Sequence, residues 1–237
     1  MLSAGRVLMR SIVLPAVMVV AATTMATAQG KRSDLDGVWI LADSAKIEGV
    51  KLTPAGEAAK AKYDHIKDDP DMRCIPATIT RVMHTPSPPL EIRQRGNEVR
   101  INYEFMDVRR RVPVKAGLAA KDAPYAVAKY PHLGRSVAHY EGETLVIETV
   151  DHGAGVLDTL GVPGLYQSNQ MRTVERYTAD GDRMRVVVTH ADPVYFQQPF
   201  TVTFTHQKLA DGKIMEWDCV PSEAGYDRFK KPTRSQE

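Results

Sequence analysis

Five ionisable side chains stand in or at the ends of segments whose apolar residues alternate: Glu104, Arg110, His139, Glu175 and His190. In an extended chain, residues i and i+2 share a face, so Arg110 lies with Val108, Val112 and Val114, and Glu175 with Met171, Thr173 and Tyr177. His139 lies with Val137, and His190 with Met184, Val186 and Val188. A charge on an apolar face needs a partner. Glu104 or Glu175 suits Arg110, because a bidentate carboxylate satisfies several guanidinium donors at once. If these faces line one interior, His139 or His190 with Glu104 or Glu175 could exchange protons, and Arg110 could stabilise developing negative charge. Tyr103, Ser136 and Tyr177 would add hydroxyls able to bind a ligand. The competing reading makes the same residues structural ion pairs that tie neighbouring strands.

Other chemistries find little support. Gly134-Arg135-Ser136-Val137-Ala138 has a serine after Gly-x, but a nucleophile elbow needs a strand, a sharp turn and a helix, and here the serine opens a strand. Gly153-Ala154-Gly155 lacks the third glycine of a dinucleotide fingerprint, and there is no Walker sequence. The seven histidines include no H-E-x-x-H and no Cys/His cluster. No cofactor and no metal are therefore expected.

The elements that must position these residues are mostly strands. Asp34 to Leu41 leads into a first strand anchored by Trp39. One helix follows, with Thr53 as N-cap and Pro54 at its first position, running to about His65. Residues 68–90 read as an irregular wrapping segment, because Pro70, Pro76, Pro86, Pro88 and Pro89 remove backbone donors. Strands are then predicted over Glu98–Phe105, Val108–Val114, Ser136–Tyr140, Thr144–Val150, Met171–Tyr177, Met184–Thr189, Phe200–Gln207 and Ile214–Cys219, separated by turn sequences such as Glu141-Gly142-Glu143 and Asp180-Gly181. With the Trp39 strand that makes nine. An antiparallel sheet of that size tends to curl and close, because closure removes exposed edges. Residues 115–135 and 151–170 are long for hairpin connections and read either as lids or binding loops or as packed Ω-loops.

The first 28 residues form a secretory signal by pattern. Arg6 and Arg10 precede the apolar run Ser11–Ala22, and Ala26-Thr27-Ala28 offers a cleavage site before Gln29. Residues 29–237 are then one mature domain, periplasmic or secreted. In an oxidising compartment, the two cysteines, Cys74 and Cys219, read as a disulfide more readily than as a metal pair or a free thiol. A formal net charge of +2, all of it from Arg6 and Arg10 in the signal, argues against nucleic acid, which requires a concentrated cationic footprint. No stretch after the signal is apolar and long enough to span a bilayer.

Gly37-Val38-Trp39 is similar to the Gly-x-Trp start of lipocalin-like (calycin) barrels, in which the tryptophan closes the barrel floor and a strand-borne arginine often covers it. Cys74-Ile75-Pro76, Glu104 with Arg110-Arg111, Gly134-Arg135-Ser136 running into Glu141-Gly142-Glu143-Thr144-Leu145-Val146, Glu175-Arg176-Tyr177, Asp192-Pro193 and Cys219 together resemble a family of exported bacterial proteins with no assigned reaction. Tyr140 and Glu143 depart from that family's Trp and Asp. The resemblance implies export, a disulfide and an all-β, mainly antiparallel, lipocalin-like barrel with a short N-terminal helix. It also marks Glu104, Arg110, Ser136, Glu175 and Arg176 as residues to test.

The expectation is an exported barrel that encloses a small, largely apolar or amphipathic molecule and acts on it as a cofactor-free lyase, isomerase or cyclase. The alternative is the same barrel binding without chemistry. A third reading, an interaction protein using its surface or the basic tail Arg228-Phe229-Lys230-Lys231, has less support.

Overall fold

The computed structural model describes residues 32–158 and 161–220. The signal-like segment 1–28 and the basic tail at 228–231 lie outside the described residues. The strands are β1 (Gly37–Glu48), β2 (Leu90–Arg95), β3 (Glu98–Tyr103), β4 (Arg109–Pro113), β5 (Leu133–Glu141), β6 (Thr144–His152), β7 (Gly155–Asp158), β8 (Leu165–Gln167), β9 (Arg172–Asp180), β10 (Arg183–Ala191) and β11 (Phe200–Leu209). Three short helices join them: α1 (Pro54–Ala61), α2 (His65–Asp68) and α3 (Ile79–Met83). Nine strands form one antiparallel sheet in the order β4-β3-β2-β1-β11-β10-β9-β6-β5, and β7 pairs with β8 beside it.

The sheet curls until its two edges meet. Val114 bridges Ala138, and the Lys115 N–H donates to the Ala138 carbonyl at 2.8 Å. Where β4 and β5 do not pair directly, the loop between them fills the gap. The Arg111 N–H donates to the Ala126 carbonyl at 2.8 Å, and the Ala126 N–H donates to the Gly134 carbonyl at 3.0 Å. The fold is thus the mainly antiparallel, nearly closed barrel expected, with its seam between β4 and β5.

Alternation sorts the interior from the surface. Val99, Ile101 and Tyr103, then Val108, Arg110 and Val112, then Thr173, Glu175 and Tyr177, and Met184, Val186, Val188 and His190 are all buried. Trp39 is fully buried, its indole N–H donating to the Leu35 carbonyl, and the cation covering its ring is Lys208, at 5.2 Å, rather than an arginine.

Several expectations need correction. Ile214–Cys219 is not a strand; it runs as an extended strap held by side chains, with the Met215 N–H donating to Glu104 and the Trp217 N–H to Asp107. The ninth strand is instead β2, whose alternation follows directly on three prolines. The segment 68–90 also contains α3, capped by Thr78 and with all five of its residues buried. Its side chains fill one part of the barrel. The helix begins as expected, the Thr53 hydroxyl accepting from the Gly56 N–H, but ends at Ala61.

Neither long loop hangs free. Residues 120–123 lie on the outer face of β5 and β6, burying Val137, while β7 and β8 come from the second loop, β8 packing on α1 and β7 on α3. Cys74 and Cys219 form the expected disulfide, tying the turn after Pro70–Arg73 to the C-terminal strap. No helix among the described residues is long and apolar enough to cross a membrane.

Candidate functional site

Four neighbouring staves, β4, β5, β6 and β9, bring four polar residues together in the dry interior: Arg110, Ser136, Thr149 and Glu175. Register explains the meeting, because Ser136 lies opposite Thr149 and Ile147 opposite Glu175. Gly134, with φ +89°, lets β5 approach the Thr149 and Val150 backbone closely; a β-carbon there would strike the Val150 carbonyl. Arg110 Nη1 and Nη2 donate to the two oxygens of Glu175, each at 2.8 Å, and Nη2 also donates to Thr149 Oγ1 at 2.8 Å and Ser136 Oγ at 2.9 Å. The Tyr177 hydroxyl donates to Glu175 Oε2 at 2.6 Å. Burial works against the guanidinium charge, but the adjoining Glu175 carboxylate more than offsets it, so Arg110 is held cationic. Burial and then Glu175 push the Tyr177 phenol well above its usual range.

The network crosses the seam. Backbone hydrogen bonds are sparse between β4 and β5, and the Arg110–Glu175 bridge spans that same place. Its first role is therefore structural, as a clamp that closes the barrel.

Tyr177 and Tyr103 connect the network to a cleft. The remaining lining is almost wholly apolar: Val82 and Met83 of α3, Pro86 and Pro88 of the strap that follows, Leu90, Phe105, Val186 and Phe204, with Thr85 and His206 as the other polar members. Empty space amounts to about 400 Å³ with the solvent-facing mouth included, and the closed cleft itself is narrow. On this lining His206 Nδ1 has no hydrogen-bond partner in the protein, and Tyr103 Oη, beside the Arg110 and Tyr177 side chains, completes no well-formed bond to either. Burial pushes Tyr103 up to about 12 and His206 down to about 4, so near neutral pH one is a protonated phenol and the other a neutral imidazole.

The candidate residues are thus divided. Arg110, Ser136, Glu175 and Tyr177 share one network, with Tyr103 beside it. His190 is buried but joins a different cluster: its ring stacks on Phe200 at 4.8 Å and its Nε2 lies 3.2 Å from Nε2 of His84. Glu104 lies just past β3 and holds the C-terminal strap. His139 does share a face with Val137, but that face points outward, and its Nε2 meets Glu141 at 3.3 Å. Neither Glu104 nor His139 belongs to the interior. The inward reading of His139 failed because residues 120–123 make the outer face apolar too, so Val137 is no guide to the inside. Sequence reasoning missed Thr149 and His206, although both continue an inward alternation, Leu145-Ile147-Thr149 and Phe200-Val202-Phe204-His206.

A second buried arginine anchors α3. Arg81 lies 3.0 Å from Asp69 and 2.5 Å from Asp71, and its guanidinium sits 5.8 Å from the Phe105 ring centre. Burial, only partly opposed by Arg81, pushes the Asp71 carboxyl up to about 7. Among the described residues no group of three or more His, Cys, Asp or Glu side chains is arranged to hold a metal ion.

No protein-family model matches this chain, and no curated protein matches it. Among solved structures, the wild-type fluorescent protein UnaG is similar at 17% identity, over 73% of this chain and 96% of its own, with a TM-score of 0.33. Lipid binding protein 8 (LBP-8) of Caenorhabditis elegans, without ligand, is similar at 11% identity, over 73% of this chain and 94% of its own, with a TM-score of 0.34. Likeness of that extent leaves the ligand to be argued from this chain's own geometry.

Proposed function

We propose that this is an exported, non-catalytic binder of a small, largely apolar molecule, which seats in the cleft between α3, the strap after it and the barrel wall. One observation carries the reading: two buried polar atoms left without a well-formed hydrogen bond, Tyr103 Oη and His206 Nδ1, occur on the same apolar lining. An unsatisfied buried polar group costs about 1–3 kcal/mol, and a guest that hydrogen-bonds there recovers it. The guest needs more room than the closed cleft offers. Pro86, Pro88 and Pro89 have no N–H to bind the strap down, and the backbone bonds shown fall at its ends, Thr85 to Val82 and Glu104 to Pro89. Displacing the strap is therefore the cheapest way in.

Binding has better support than a lyase or isomerase reaction. Acid/base catalysis works best with a group whose pKa lies near the working pH. Tyr103, Tyr177 and His206 are all displaced far from neutrality, and Arg110 and Glu175 are engaged with each other. Glu104 and His139 lie elsewhere.

The test uses N-phenyl-1-naphthylamine, a neutral apolar dye that fluoresces when buried. Saturable fluorescence with wild type, lost in Met83→Trp, which fills the cleft, supports the reading; equal binding by both proteins, or none by either, overturns it. Export is tested separately. The intact mass of protein recovered from the periplasm or medium should match a chain beginning at Gln29, and a full-length mass there would defeat the signal assignment.

A further inference from the structure

Resting on the binding reading above, we infer that the cleft selects neutral guests carrying a hydroxyl or carbonyl and rejects carboxylates, because its nearest cation is already neutralised from within. Arg110 is the cation closest to the tyrosine end of the cleft. Both of its terminal nitrogens are occupied, by Glu175, Ser136 and Thr149, and its ion pair with Glu175 is completely buried. A carboxylate entering here would meet a guanidinium with only Nε left open, and the existing negative charge of Glu175. At the α3 end the buried cation among the described residues, Arg81, faces two carboxylates, Asp69 and Asp71. Neither end has a positive charge to spare. A buried carboxylate without a counter-ion is strongly disfavoured, whereas a hydroxyl or carbonyl needs only hydrogen bonds.

The orphaned atoms supply those bonds. Tyr103 Oη can donate or accept, and a neutral imidazole offers one donor and one acceptor, so His206 Nδ1 complements a guest in either sense. Tyr177 is not available as a donor, because its proton already goes to Glu175. The polar end of the guest should therefore lie toward Tyr103 and His206, with its chain against Val82, Met83, Phe105, Val186 and Phe204.

Displacement of N-phenyl-1-naphthylamine by 1-decanol and by decanoate at pH 8 tests this. For wild type, decanol should compete at least about tenfold better than decanoate, the difference expected from burying an unpaired charge. Tyr103→Phe should narrow that preference by roughly fivefold through loss of one hydrogen bond. Equal or better competition by decanoate overturns the inference, as does a preference unchanged in both Tyr103→Phe and His206→Leu. The two levels fail differently: no saturable dye binding removes the binding reading and this one with it, whereas dye binding without a decanol preference removes only the selectivity.

Discussion

Arg110 and Arg81 are both buried, with side-chain exposures of 0% and 4%, yet their surroundings differ in charge balance. Arg110 faces one carboxylate, in a two-pronged bridge, and two hydroxyls fill in around it, leaving only Nε without an acceptor. Arg81 faces two carboxylates, Asp69 and Asp71, the latter partly exposed at 12%, with His65 3.7 Å from Asp69. The first arrangement is neutral and joins strands on either side of the seam. The second has an excess of acid and joins the α3 plug to a surface turn. A balanced pair deep in a sheet holds one geometry at any ordinary pH, whereas an unbalanced cluster near the surface must take up a proton or carry strain.

The comparison breaks most visibly if one partner of the seam pair is removed. Arg110→Met or Glu175→Met alone should cost about 3–5 kcal/mol in urea unfolding, since each leaves a buried charge uncompensated, while Arg110→Met with Glu175→Leu should recover most of the loss. If the double variant is as unstable as the singles, the pair is more than a clamp. At the other end, the disulfide fastens the turn next to Asp71. Cys74→Ala with Cys219→Ala should cost about 2–5 kcal/mol, near the upper end because the bridge closes a long loop with a sequence separation of 145. Alkylation under denaturing conditions without reductant should leave the wild-type mass unchanged; two adducts would show that the cysteines are free.

The barrel interior should also respond to pH, through two buried histidines rather than through the Arg110–Glu175 pair, and with a sign opposite to that of the Arg81 cluster. The Asp71 pKa is raised in the folded state from 3.8 to about 7, so its contribution is full below about pH 4 and is lost as pH rises through about 7. His206 and His152 are lowered from 6.5 to about 4, chiefly by burial, so their contribution is full above about pH 6.5 and is lost as pH falls toward 4. Unfolding midpoints of Asp71→Asn should lose the decline between pH 4 and 7, a difference on the order of 2–4 kcal/mol across the window. His206→Gln should flatten the acid limb instead. A variant that flattened the wrong limb would reverse the assignment.

How far each region could be read from sequence follows from its local order. The seam lies in regular strands, where alternation alone places Arg110 and Glu175 on inward faces, and the choice of Glu175 over Glu104 then depends only on where β3 ends. It ends at Tyr103, because Met106 and Asp107 take positive φ and turn the chain. The α3 region has no such period. Five helical residues between prolines are too short to show a 3.6-residue repeat, so Arg81 and its two acids were invisible until the chain was folded. The cleft was half legible: Tyr103 and Tyr177 follow from alternation, but Met83 reaches it through the placement of α3 and Pro86 through the path of the strap after it. The outward direction of His139 was hidden because both faces of β5 are covered.

The finest test concerns two tyrosines on the same cleft. Tyr177 donates to a carboxylate that already serves Arg110, and Tyr177→Phe leaves Glu175 one bond short in a dry site, which should cost about 1.5–3 kcal/mol. The Tyr103 hydroxyl completes no well-formed bond to its neighbours Arg110 and Tyr177, so Tyr103→Phe removes a desolvated group with little to answer it; stability should change by less than about 0.5 kcal/mol, or rise. A large loss in Tyr103→Phe would mean that its hydroxyl is satisfied within the folded chain, by Arg110 or Tyr177. The cleft would then present one polar atom to a guest instead of two, and His206 alone would have to hold the guest's polar end. Near-neutral stability together with weakened decanol binding is the outcome that separates a group kept for a ligand from one kept for the fold.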